Sequence, residues 1–484
     1  MRGKIIKRTI SILIFICLLG SILFYMDRVL LIKRTDGITT MQNLYAQEDN
    51  TVDLLILGSS HAGMNLDVEV LWTKYGISSY ALWGSIQPFW NTYYFLEEAL
   101  KSQTPKVIVL DTFAATLDFE YSDEARQVTN VAGMKLSLNK INAIKETAPK
   151  DRWFDLLTGL PLYHSRYDEI TQDDFEHFPW TKELINSKGT SYRYGSIENI
   201  AIEDAATISE KAEIYEKEEK YLIKIIELCE EKEIPLVLIT TPTVSRISEQ
   251  PFYNSVNEIA QQYGLEYYNF NLLDEETGFN VNDYWTDGSH INTNGARKIS
   301  GYLGEKLKDK YELPDHRADE GYDSWNVNAV NIQNNYLRQI TESKDYFEEL
   351  KRDDRSVFLI KNSTWEESPA YEQLLADMEL IGVNSNEVRE STGGDWFLDS
   401  TQEGSFVNQY GGEMYSAFEF DNTMFSVDFQ NGEGIKVGDS KVYDLAGPGI
   451  ICAVYDTNTA QCIDVVTFLV SDDFQLVHSL DYLE

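Results

Sequence analysis

Cysteine is nearly absent, with four in 484 residues and none in a CxxC or CxxH pair; this excludes a disulfide framework and leaves no zinc-site spacing. No metal or cofactor is expected. Cations are also scarce: 41 Lys and Arg stand against 79 Asp and Glu, a net charge of −38. No Lys/Arg stripe lies beyond the extreme N-terminus, and a field of this sign repels phosphate backbones, which argues against nucleic-acid binding. The chain is nevertheless too apolar for an acidic disordered protein, at 43% hydrophobic and 12% aromatic residues; it should be globular. At roughly 150 residues per domain the length allows two to three domains.

Long hydrophobic runs are missing too, with one exception. After Arg2, Lys4, Lys7 and Arg8, residues Thr9 to Met26 run for 18 residues without a charge, about the minimum for a helix that crosses a bilayer. The following FYMDRVLLIK holds no small-x-small cleavage site, which favours an uncleaved anchor over a signal peptide. The positive-inside bias places the N-terminus in the cytoplasm and the rest of the chain outside: a single-pass cell-membrane protein with an extracytoplasmic body. Residues 1–34 carry seven Lys/Arg against one Asp, so the remainder carries −44; this favours a neutral or zwitterionic surface glycan over a bare polyphosphate as partner.

Beyond the anchor two compositions follow one another. From residue 35 to 315, apolar runs at 52–58, 78–83, 106–112, 235–241 and 266–271 alternate with segments of helical period, ending in a helix at 293–311. This pattern predicts an α/β domain with a parallel, doubly wound sheet. Residues 115–205 interrupt the alternation as an aromatic-rich insertion, either structural or laid over the carboxyl edge of the sheet where ligands bind in such folds. From 316 to 484 the chain holds 10 Lys/Arg against 32 Asp/Glu and reads as short strands with Gly/Asn/Asp turns, a mainly β second domain. There Cys452 and Cys462 flank DTNTA; if the two runs form a hairpin they face each other or nearly so, as either a cross-strand disulfide or two buried thiols.

Candidate chemistry concentrates at two distant points. Gly58-Ser59-Ser60-His61 follows the first apolar run and opens into a helix, where a hydroxyl stands above the sheet edge; a plain helix cap has the same composition. Asp287-Gly288-Ser289-His290 precedes the last helix, and a carboxylate three residues before an imidazole can reach its Nδ1, leaving Nε2 to take a hydroxyl proton. The competing reading is an Asx turn. Both points fall at the same sheet edge.

These residues resemble the SGNH/GDSL hydrolase superfamily over about 51–312. The family's Gly-Asp-Ser appears as Gly58-Ser59-Ser60 and its terminal Asp-x-x-His as Asp287 and His290. The resemblance implies a flavodoxin-like sheet and a triad of nucleophile Ser60, base His290 and orienting Asp287. It also implies an oxyanion hole from the backbone N–H groups of Ser60 and Gly84, the latter in ALWGSIQP. The family's Gly-x-Asn-Asp block is replaced here by Leu110-Asp111-Thr112-Phe113. Its third donor is expected from Thr112, Gln87 or Asn91, with Gln87 preferred because it is three residues past Gly84.

With the anchor and GSS for GDS, the chain is more similar to the cell-envelope branch of that family. That branch includes proteins of alginate O-acetylation and D-alanyl-lipoteichoic-acid biosynthesis, which act beside a multi-span membrane O-acyltransferase. The implied activity is that of an extracytoplasmic serine esterase or O-acyltransferase on a cell-surface glycan or cell-wall polymer. The alternative is a catalytically inactive scaffold or glycan-binding protein of an envelope acylation complex. His61, Trp153, Tyr163 and Tyr167 are candidates to contact the substrate, the aromatics by stacking on sugar rings, although the preferred reading of each residue by itself is packing, in the turn for His61 and in the core for the aromatics. In the second domain, Gly447–Asp456 with Ile463-Asp464 and Phe468 faintly resembles interleukin-like EMT-inducer domains, which implies either a carbohydrate-binding module or a spacer.

Overall fold

The computed structural model describes residues 2–30, 36–159, 170, 172, 175, 188–197, 201–351, 355–361 and 368–390, and nine strands between 395 and 478. The chain divides into two compact units, Met1–Trp325 and Asn326–Glu484. That boundary lies a little after the composition change at 315.

In the first unit the five apolar runs become β1 (Leu54–Gly58), β2 (Ser79–Trp83), β3 (Val107–Asp111), β4 (Leu236–Thr240) and β5 (Glu266–Asn269). All pair in parallel, in the order β2-β1-β3-β4-β5. Every residue of β1 to β4 is buried, so no polar alternation survives in their sequences; this is the signature of a parallel sheet covered on both faces. The chain winds outward from β1 in both directions, and the carboxyl ends of β1 and β3 form the switch point where such sheets hold their ligands.

This unit begins with an apolar helix, α1 (Arg2–Leu30), and α2 (Ile38–Ala46) leads on to the sheet. Within α1, Ile6–Leu23 is long and apolar enough to cross a membrane, with mean hydropathy 2.0 and no residue buried. After β1 come α3 (Ser60–Met64) and α4 (Val68–Tyr75), the latter started by Asp67, whose carboxylate accepts the backbone N–H of Glu69 at 2.9 Å. Helix α5 (Phe89–Ala99) follows β2.

The insertion is more regular than its weak periodicity predicts. It contains α6 (Glu124–Ala132), α7 (Leu138–Thr147) and α8 (Trp153–Thr158). The first two are started by the side chains of Asp123 and Ser137, so local capping carries helices too short to show a clear repeat. Farther on, Gly189 lies against the backbone of Ala81, and the Trp83 indole donates to Gly189 O at 2.6 Å. This part of the insertion covers the β2 edge of the sheet.

The second unit holds two antiparallel sheets, of six and four strands, with helices Ser343–Glu349, Pro369–Met378 and Ser385–Glu390. Two of the short strands, Gly434–Val437 and Ser440–Tyr443, pair antiparallel with each other. Cys452 and Cys462 do sit on paired strands, but Cys452 opposes Val466 and Cys462 opposes Tyr455; neither forms a disulfide and both are buried. The expected face-to-face pair is therefore corrected: a register shift after Val454 and the length of the turn displace them.

Candidate active site

Strand β1 ends at Gly58 with φ +149°, and a Cβ there would press on the Asp111 Cβ at 2.9 Å and the Ala62 Cβ at 3.1 Å. Only glycine fits this turn between β1 and β3. The chain then enters α3, with the Ser59 hydroxyl accepting the His61 N–H at 3.3 Å, and Ser60 stands on the first helical turn, 7% exposed. Ser59 is the cap; Ser60 is left for chemistry.

The second segment is folded back on itself. Trp285 N–H donates to His290 O at 2.9 Å, Gly288 N–H donates to Trp285 O at 2.9 Å, and Tyr284 bridges Ile291. Within this tight loop one Asp287 oxygen accepts the N–H groups of Ser289 and His290, each at 3.0 Å. The other receives His290 Nδ1 at 2.7 Å. His290 Nε2 then meets Ser60 Oγ at 2.8 Å. The structure thus brings Ser60, His290 and Asp287 into one continuous relay.

Asn65, which the sequence reading did not single out, ties the two segments together. Its Oδ1 accepts the Ile291 N–H at 3.1 Å, and its Nδ2 donates to the Thr241 hydroxyl at 2.8 Å and lies 3.1 Å from His61 Nδ1. The loop bearing the base is thereby pinned to the helix bearing the nucleophile. Its spacing from Ser60 carries no sequence signal, because the partner is a backbone group more than 200 residues away.

His61 is buried, stacked on Phe113 with ring centroids 4.1 Å apart, and its ring centre lies 5.0 Å from that of His290. Burial, reinforced by the neighbouring His290, holds its pKa well below the ordinary histidine range, so the ring is neutral. Its Nε2 has no hydrogen-bond partner among the described residues.

Gly84 follows β2, and register pairs Gly58 with Trp83, so the ends of β1 and β2 lie side by side. A Cβ on Gly84 would overlap the amide of Asn130 and, at 2.6 Å, Gln87 Oε1. Of the amide and hydroxyl groups expected to donate there, Gln87 gives its Nε2 to Thr92 at 3.0 Å, Asn91 gives its Nδ2 to Thr147 at 2.7 Å, and the Thr112 hydroxyl donates to Ile239 O at 2.9 Å. Asn130 differs. It arrives from α6 of the insertion, is fully buried, and neither polar atom of its amide has a partner among the described residues. Its Oδ1 faces Gly84; because no hydrogen bond among the described residues fixes the amide, a half-turn would present Nδ2 there as the donor.

Trp153 is not at this place. It lies on α8, donates its indole N–H to Ala148 O at 2.9 Å, and lines a groove with Ile141, Ile144 and Leu157. Tyr163 and Tyr167 fall outside the described residues. Another aromatic approaches instead: the Trp285 ring centre is 6.5 Å from that of His290, and Arg193 lies over the indole at 5.3 Å. A cation beside the base is a feature that the acidic composition conceals. Among the described residues no cluster of His, Cys, Asp and Glu can hold a metal ion.

The chain has no match among protein-family models, curated proteins or solved structures.

Proposed function

We propose that this protein is a membrane-anchored extracytoplasmic serine esterase or O-acyltransferase of the SGNH/GDSL type. Its substrate is a cell-surface glycan or cell-wall polymer, and it works beside a multi-span membrane O-acyltransferase. The single observation that carries the reading is the relay Asp287–His290–Ser60, with donor–acceptor distances of 2.7 and 2.8 Å. Supporting it are the sheet order β2-β1-β3-β4-β5 and the placement of both segments at its carboxyl edge.

In this mechanism Ser60 Oγ attacks the acyl carbonyl of an ester donor while His290 Nε2 takes the hydroxyl proton. Asp287, bonded to Nδ1, fixes the tautomer and balances the imidazolium that forms. The negative charge that develops on the carbonyl oxygen is met by the Ser60 and Gly84 N–H groups and the Asn130 amide. As the tetrahedral species collapses, the ester C–O bond breaks, the leaving oxygen receives the proton from His290, and the acyl group remains on Ser60. A glycan hydroxyl or water then repeats the sequence in reverse, giving transfer or hydrolysis. Positive charge at Arg2, Lys4, Lys7 and Arg8 orients α1 with the catalytic unit outside the cytoplasm.

The test is labelling of the full chain, in detergent, by an active-site serine phosphonate. The wild type is expected to be modified and Ser60→Ala left untouched. A folded wild-type protein that resists the probe would favour the inactive-scaffold reading.

A further inference from the structure

We propose that the outer face of the insertion, formed by residues 134–157, docks onto the lipid surface of the membrane that α1 crosses. This inference rests on the reading of α1 as a membrane anchor. Three observations converge on it.

The first is exposure. Outside α1, the three most exposed large hydrophobic side chains among the described residues are Leu138 at 79%, Leu136 at 75% and Phe154 at 69%. Leu136 and Leu138 stand at the start of α7 and Phe154 on α8; these two helices pack together, and Phe154 and Leu157 border the groove between them with Ile141 and Lys145. Single exposed apolar residues are ordinary, whereas several on one face mark a surface that meets something apolar.

The second is charge. In a chain whose residues beyond 34 carry −44, residues 134–157 hold four lysines and Arg152 against Glu146, Asp151 and Asp155, a small positive excess. Lys140 turns inward to Met134 O, while Lys135, Lys145 and Lys150 are exposed around the apolar side chains. Cations framing protruding Leu and Phe are the composition of an interfacial surface that inserts its apolar part below anionic headgroups. A docking protein of ordinary composition has no need of this local reversal of sign.

The third is reach. Only residues 31–37 separate the end of α1 from α2, a span of at most about 25 Å even when fully extended. Helix α6 packs on the start of α2: a Cβ on Gly133 would strike Ile38 O at 2.7 Å, and one on Gly37 would strike Thr129 O. The chain leaves that contact directly into Met134, Lys135 and Leu136. Lys135 remains bound to α2, its N–H donating to the Tyr45 hydroxyl at 3.1 Å and its ammonium 4.0 Å above the Tyr45 ring. The apolar and basic face therefore begins beside the point where the anchor enters the unit, within reach of the bilayer surface. The same α6 carries Asn130 to Gly84, so docking would hold the active site at a fixed height above the lipid.

The full chain, with Cys17→Ala and its three buried cysteines unchanged, is placed in lipid nanodiscs containing phosphatidylglycerol and phosphatidylcholine. A nitroxide is attached at Leu138→Cys or Phe154→Cys, with Leu272→Cys as the comparison on an exposed site elsewhere. Collision with oxygen relative to a water-soluble nickel chelate is expected to be several-fold higher at 138 and 154 than at 272. The difference should shrink when Lys135, Lys145 and Lys150 are changed to Glu, or in phosphatidylcholine alone. Equal water access at all three positions in discs that carry the chain would overturn the docking while leaving the anchor intact. A chain that elutes free of lipid would overturn the anchor and the docking with it. Protection that arises only when a second membrane protein is added would replace the lipid with a protein partner and overturn the proposal.

Discussion

Asp287 holds His290 at two points, accepting the imidazole Nδ1 at 2.7 Å with one carboxylate oxygen and the backbone N–H of the same residue at 3.0 Å with the other. The backbone bond sets where the ring hangs, and the side-chain bond sets which nitrogen carries the proton. In Asp287→Asn the amide oxygen can keep the backbone bond, but an NH2 group facing Nδ1 stabilises the wrong tautomer. Turnover of a soluble acyl ester is expected to fall by roughly four orders of magnitude with KM little changed. Steady-state kinetics at saturating ester check this. Near-wild-type turnover would remove Asp287 from the relay.

The oxyanion site makes a second, separable prediction. If the Asn130 amide supplies the third donor, Asn130→Ala should lower kcat by about 100- to 1000-fold, with ester binding maintained. Asn130→Asp should be worse, because it places negative charge where negative charge develops. Gln87→Ala should cost far less, since the Gln87 amide already donates to Thr92. The reverse ranking in a direct kinetic comparison would return the role to Gln87.

How much of this was legible in the sequence depends on how local the cause is. Runs such as LLILG and LVLIT announce buried strands because burial on both faces leaves only apolar side chains, and the helices between them impose parallel pairing. Ser60 and His290 are readable because a strand-end turn and a three-residue Asp–His spacing are each local devices. Asn130 has no such signature: its neighbour Gly84 lies across the fold, and the helix that delivers it is too short to display its period. Asn65 is hidden for the same reason. The aromatic positions misled where composition alone was available, since Trp153 serves the α7–α8 packing, while Arg193 shows that a net charge of −38 says little about the field at one loop.

Asn65 should behave as a positioning residue. Asn65→Leu keeps the volume but deprives the buried Ile291 N–H of its acceptor, a loss costing about 1–3 kcal/mol, and removes one hydrogen bond from the Thr241 hydroxyl, which keeps His61 Nδ1 at 3.2 Å. The loop carrying His290 is then loosened relative to Ser60, so kcat is expected to fall more than KM rises, together with a lower melting temperature. Asn65→Asp retains the acceptor for Ile291 and should recover part of the catalytic loss. If neither variant alters kcat while both lower stability, Asn65 serves the fold alone.

The last prediction concerns pH and rests on Asp111, at the end of β3. Burial pushes its carboxyl up to about 7, against hydrogen bonds from the Phe113 N–H and from Thr241 that pull it down, and the nearby Glu249 adds to the rise. Its Oδ2 is buried without a partner among the described residues. In the unfolded chain the same group titrates near 4. Below about pH 4 the carboxyl is neutral in both states and contributes no pH dependence. Between about 4 and 7 the folded state binds the extra proton, so stability is lost as pH rises, and above 7 the loss is complete. Asp111→Asn keeps an oxygen for Phe113 but cannot ionise. Its advantage over the wild type should therefore grow from about pH 4 to pH 7 and level off above, at a value on the order of 4 kcal/mol. Calorimetric melting of the two proteins at pH 4.5, 6 and 8 follows the first unit directly. A difference that stays constant across these values would show that Asp111 is ionised throughout, with a partner strong enough to offset its burial.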